Sequence, residues 1–188
     1  MPTSISGWPV LDNPAWGDPR AKNAKVPGVG TALWTHEEVW PLFSSLVRDY
    51  NRVINKVTSS DGYDYRPSRV PGAGWSNHSA GVAIDINASA EGATGTGVNG
   101  WWKQFNRNIK AQRLRSRYQI VTWGASVEIA DDPHTPQTEG WNNSWADAMH
   151  WELKSGTTVE DVRKVIKSLN IGKDGIRRDA KGRVIPHI

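Results

Sequence analysis

Hydrophobic and polar positions alternate along this chain in two distinct rhythms. From Val39 onward, Leu42, Phe43, Leu46, Val47, Tyr50, Val53, Ile54 and Val57 recur at helical spacing, and Thr35 followed by Glu38 reads as a capping box at the helix start. Pro41 is able to shift that start by a turn. Between Gly81 and Asn87 the rhythm changes to strict alternation: Val82, Ile84 and Ile86 go to one face, and Ala83, Asp85 and Asn87 to the other. One face of this strand is therefore apolar and the other small and polar. Further elements follow with weaker signals: a basic helix over Trp101–Arg117 with Phe105 and Ile109 inward, a strand over Tyr118–Trp123, a short strand over Met149–Leu153 and a closing helix over Thr157–Leu169. A short strand is also expected near Tyr63–Arg66, and a long loop over Gly124–Ala146. Strands and helices mix without a repeating βαβ unit, which predicts an α+β fold with a small, mostly antiparallel sheet and flanking helices.

Prolines 2, 9, 14, 19 and 27 punctuate the first 34 residues and predict an irregular arm laid over the domain. Residues 35–171 are then expected to form the single folded domain, and the polar run 172–188 reads as a tail or a linker stub. The length of 188 residues suits one core. No apolar stretch approaches the roughly 20 residues that span a bilayer, and the N-terminus lacks the basic start and apolar core of a secretory signal. The chain is accordingly expected to be made in the cytoplasm as a monomer with no membrane partner.

Composition narrows the chemistry. With no cysteine, disulfide frameworks, thiolate metal sites and cysteine nucleophiles are all excluded, so any metal must be held by nitrogen and oxygen. The net charge of +4 comes from the C-terminal segment, since residues 155–188 carry 8 Lys/Arg against 4 Asp/Glu while residues 1–154 carry 15 of each. The basic residues of the expected helix, Lys103 to Arg117, read as a solvated face, and nothing else supports nucleic-acid binding. Eleven tryptophans serve packing and ligand stacking equally well, so their number alone selects no function.

Two short stretches concentrate histidine and carboxylate: Ser76-Asn77-His78-Ser79-Ala80-Gly81-Val82-Ala83-Ile84-Asp85 and Asp147-Ala148-Met149-His150-Trp151-Glu152. In the first, Gly81 lets the backbone turn between a histidine and a carboxylate on a strand. In the second, His150 and Glu152 share one strand face by the period-two rule. Two histidines and one carboxylate, with a fourth position for water, match the donor set of a catalytic zinc ion. Taken singly, His78 and His150 are also read as unrelated polar residues at strand ends.

The pattern Ser-x-His-x-x-Gly-x-Ala-x-Asp, followed by Asp-x-Met-His-x-Glu, resembles the VanY-like zinc D-alanyl-D-alanine carboxypeptidase and L-alanyl-D-glutamate endopeptidase family, which includes many phage endolysins. The resemblance covers about residues 60–155, with Trp123-Gly124 similar to the family's strand-end Trp-Gly. It implies zinc at the sheet face, bound by His78, Asp85 and His150, with Asp147 as general base. Tyr65-Arg66 resembles the family's Tyr-Arg, whose guanidinium meets a substrate carboxylate or the developing oxyanion, and Arg69 is a rival for that role. Ser76, Glu152, Trp151 and Tyr65 are expected to bind substrate or support the ligands. The implied activity is hydrolysis of peptidoglycan stem peptides at the bacterial cell wall. The competing class is a wall-binding module of the same fold without hydrolysis.

Overall fold

The computed structural model describes residues 2–13, 17–68, 74–88, 105–124 and 148–185. Its elements run β1 (Ala21–Lys25), β2 (Ala32–His36), α1 (Trp40–Val53), β3 (Ser60–Asp61), a 3-10 turn (Asn77–Ala80), β4 (Ala83–Ile86), α2 (Phe105–Arg117), β5 (Val121–Trp123), β6 (His150–Leu153) and α3 (Val159–Ser168). The fold is α+β, and every strand pairing is antiparallel.

The four-stranded sheet has the order β3-β4-β6-β5. Alternation along β4 sends Ile84 and Ile86 into the core, where they meet Trp151 and Leu153 of β6 and Val121 and Trp123 of β5. Helix α1 covers this face with Leu42, Phe43, Leu46, Val47 and Tyr50, all fully buried. The aromatic centre of the core is an offset stack of Trp123 on Trp151 at 5.6 Å, with Tyr50 edge-on to Trp151 at 6.2 Å. Helix α2 adds Ala111 and Leu114, while Ile109 is only half-buried.

Helix α1 begins later than the expected capping box. Thr35 lies in β2, paired with Lys22 of β1, and Val39 precedes the helix without a side-chain cap. Pro41 fills the first turn instead, where a missing N–H costs nothing and the fixed φ suits the helix. A capping box does form at α3: Thr158 Oγ1 accepts from Asp161 N, and Asp161 Oδ2 accepts from Thr158 N.

The ends of the chain differ from the sequence expectation. Residues 21–36, expected to be irregular up to 34, contain the β1–β2 hairpin; Pro19 and Pro27 bracket β1 rather than interrupt it, and Gly28 and Gly30 take positive φ in the turn. No strand forms at 63–66; the ladder with β4 uses Ser60 and Asp61. Residues 172–185, expected as a tail, fold back on α1. Isolated bridges join Ile171 to Arg177 and Arg178 to Val184, and Gly175 packs against Ser44. Arg177 and Arg117 reach the buried carboxylate of Asp49 on α1 at 3.7 and 3.5 Å, and the Tyr118 hydroxyl donates to it at 2.9 Å. Polar character here marks an ion-paired seam. Gly92–Gly100, Trp101–Gln104, the loop beyond Gly124 and the last three residues lie outside the described residues.

Candidate metal centre

The centre is built where the 3-10 turn runs into β4. Ser76 caps this turn, its Oγ accepting from His78 N at 3.3 Å, and Gly81 ends it in the left-handed region at φ 65°. That reversal sets His78 above the start of β4. Asp85 follows on the strand face opposite Ile84 and Ile86. The register then places His150 of β6 directly across from Asp85, so residues far apart in sequence become neighbours through one strand pairing.

His78 Nε2, His150 Nδ1 and Asp85 Oδ1 form a triangle with sides of 3.2, 3.4 and 2.9 Å. Donors bound tetrahedrally to one zinc ion at about 2.0–2.2 Å stand about 3.3–3.6 Å apart, so the triangle nearly matches one face of such a tetrahedron. Both histidines are buried, and the Asp85 side chain keeps 17% of its surface. Among the described residues, these three form the group able to hold a metal ion.

Tautomers follow from what lies behind each ring. His78 Nδ1 donates to the carbonyl of Gly62, which only accepts. His150 Nε2 donates to Glu152 Oε2 at 3.0 Å. With a proton held on each outer nitrogen, His78 Nε2 and His150 Nδ1 converge with the Asp85 carboxylate, and a cation displacing the proton shared by His150 Nδ1 and Asp85 would meet their lone pairs. The electrostatics agree. Burial opposes charge on His150, yet hydrogen bonds to Asp85 and Glu152 outweigh it and raise its pKa to about 10. Burial likewise raises the Asp85 carboxyl, but His150 and His78 overcome it and hold it well below the usual carboxylate range. The same point that binds a proton so firmly suits a divalent cation.

Other expected site residues fall in varied places. Glu152 stands behind His150, on the ring nitrogen away from the triangle, and is therefore a support rather than a ligand. Ser76 fixes the turn. Trp151 does not line the site: adjacent to His150, it points to the opposite sheet face and is fully buried in the core, as strand alternation requires. Tyr65 is exposed and packs against Trp75 with ring centroids 4.7 Å apart. The Arg66 guanidinium pairs with Asp64, Nε to Oδ2 at 2.6 Å. Its backbone is tied to the turn through Ser79, whose Oγ accepts from Arg66 N at 2.9 Å and lies 2.8 Å from Arg66 O. Asp147 and Arg69 lie outside the described residues. Gly62 was missed by sequence reasoning, since a backbone carbonyl leaves no trace in sequence, whereas Asn77 sits inside the first motif.

No protein-family model, curated protein or solved structure matches this chain. No helix among the described residues is long and apolar enough to cross a membrane. What the geometry establishes is an α+β protein with a buried His-Asp-His group that can hold a metal ion.

Proposed function

We propose that this protein is a zinc metallopeptidase that hydrolyses the stem peptides of bacterial peptidoglycan, as an L-Ala-D-Glu endopeptidase or a D-Ala-D-Ala carboxypeptidase of the phage endolysin type. The observation that carries the reading is the donor triangle of His78, Asp85 and His150, with each imidazole proton held on the far nitrogen. Two imidazoles favour zinc over magnesium or calcium, which prefer all-oxygen sites. The order of the two motifs and their resemblance to the VanY-like family supply the substrate class.

Zinc bound there would lower the pKa of a water toward ~7 and polarise the scissile carbonyl. His78, Asp85 and His150 would hold the ion. Asp147, three positions before His150, takes the proton from the attacking water and passes it to the leaving amine. Arg66 offers a planar cation for a substrate carboxylate or for charge developing on the carbonyl oxygen.

Metal analysis and peptidoglycan digestion test this directly. Purified protein supplied with zinc should hold one ion per chain, and His78→Ala and His150→Ala should each lose it. Mass analysis of digested peptidoglycan should show new stem-peptide ends that vanish in chelator. Asp147→Asn should keep zinc but lose about 10²–10⁴-fold in turnover. A wild type that takes up no zinc refutes the metal centre; one that binds zinc and sediments with cell walls without cutting them is a binding module.

A further inference from the structure

Behind His150 a chain of hydrogen bonds runs to the N-terminal arm. Glu152 Oε2, which accepts from His150 Nε2, also accepts from Asn77 Nδ2 at 2.7 Å, and Asn77 Oδ1 accepts from the Ser6 N–H at 2.9 Å. Asn77 and Ser6 are buried. Each link has one allowed direction. A backbone N–H only donates, so Ser6 fixes the oxygen end of the Asn77 amide; the amide nitrogen must then face Glu152, which as a carboxylate only accepts. The His150 proton is thereby drawn to Nε2, and Nδ1 is left to present a lone pair beside Asp85.

The arm that ends this chain is itself clamped to the two segments that carry the histidines. Ile5 N donates to Trp75 O at 3.0 Å and Leu11 N to Ser79 O at 2.9 Å, on the side of His78. Trp8 Nε1 donates to Thr157 O at 2.6 Å and Gly156 N to Ser6 O at 3.3 Å, just beyond β6. Trp8, Val10 and Leu11 are buried, so the arm is packed in place and its Ser6 amide has a defined position.

We infer that Asn77, oriented by the Ser6 amide of the N-terminal arm, is a positioning residue of the metal centre: it seats Glu152 on His150 Nε2 so that Nδ1 faces the ion. This rests on the zinc centre proposed above. The arm thus belongs to the support of the site.

The test uses the full chain and two metals. Zinc affinity is read by competition with a chromophoric chelator, and the visible absorption of the cobalt(II)-loaded protein reports the ligand field at His150. Asn77→Asp keeps the acceptor for Ser6 but replaces the donor with a second carboxylate facing Glu152. Glu152→Gln removes the charge behind the ring. Both should weaken zinc binding about 10–100-fold and shift the cobalt spectrum, a change that loss of general stability alone would not produce. Should Asn77→Asp fail to fold, Asn77→Ser, which cannot reach Glu152 and adds no charge, gives the same reading. Wild-type affinity and spectrum in a folded Asn77 variant overturn the inference while leaving the metal centre standing. If the wild type itself binds neither zinc nor cobalt, the centre fails and the inference with it.

Discussion

Replacing Gly81 by alanine should damage this protein in two separable ways. Gly81 sits at φ 65°, where an L-residue with a Cβ pays about 1–2 kcal/mol relative to the right-handed region. A Cβ at this position would also collide with the backbone nitrogen of His36, come within 2.9 Å of the Thr35 carbonyl carbon and lie 3.1 Å from Leu11 Cδ1. Two of these three neighbours are backbone of β2, which cannot rotate aside, so overpacking should cost a further ~1–3 kcal/mol. The total is about 2–5 kcal/mol. Gly28 is the control: its φ is 75°, yet nothing lies within 4 Å of its would-be Cβ, so Gly28→Ala should cost only about 1–2 kcal/mol. Urea unfolding of both variants measures the difference. Because Gly81 ends the turn that carries His78, only Gly81→Ala should also lower zinc affinity. Equal destabilisation in the two variants would refute the close approach of β2 to this turn.

Two further perturbations probe other parts of the molecule. Tyr118→Phe removes a buried hydroxyl that donates to Asp49 Oδ2 at 2.9 Å, and should cost about 1.5–3 kcal/mol without changing metal content; a loss below ~0.5 kcal/mol in thermal or urea unfolding would show that the seam under the C-terminal segment is not held there. Burial, together with the Asp49 charge, pushes the Tyr118 hydroxyl well above its usual pKa, so above pH ~10 the unfolded chain gives up this proton while the folded chain keeps it. Wild-type stability should therefore fall with rising pH more steeply than that of Tyr118→Phe, by up to ~1.4 kcal/mol per pH unit, and parallel curves would contradict this. Arg66→Lys keeps the charge but loses the planar fork, and should reduce cleavage of stem peptides with zinc content unchanged; undiminished cleavage would remove Arg66 from the mechanism.

Local patterns in the sequence carried the parts of the fold that depend on local chemistry. The period-two run at 81–87 predicts both the strand β4 and which of its residues enter the core, and the helical run from Leu42 to Tyr50 predicts the buried face of α1. Where a distant partner decides the outcome, the reading failed. Thr35 looks like a helix cap until β1 pairs with it, and the polar run after Gly172 looks free until Asp49 is seen beneath Arg177. At the site, residue types mark two stretches rich in histidine and carboxylate, and the family resemblance singles out His78, Asp85 and His150 within them. Their mutual distances depend on the pairing of β4 with β6, and the support from Glu152 through Asn77 to Ser6 depends on where the arm packs; neither is encoded in a local motif.

The opposition of Asp85 to His150 also makes strand alignment self-checking. Side chains on β6 alternate between the ligand face and the core, so sliding β6 by a single residue along β4 would bring the Trp151 indole to the ion and force the His150 imidazole among Tyr50, Trp123 and Ile84. Such a slipped sheet loses its metal ligand and strands a polar ring in an apolar interior at the same moment. A cation captured during folding would therefore reward one alignment alone, so an ion bound at this site would also act as a proofreader of the protein's assembly.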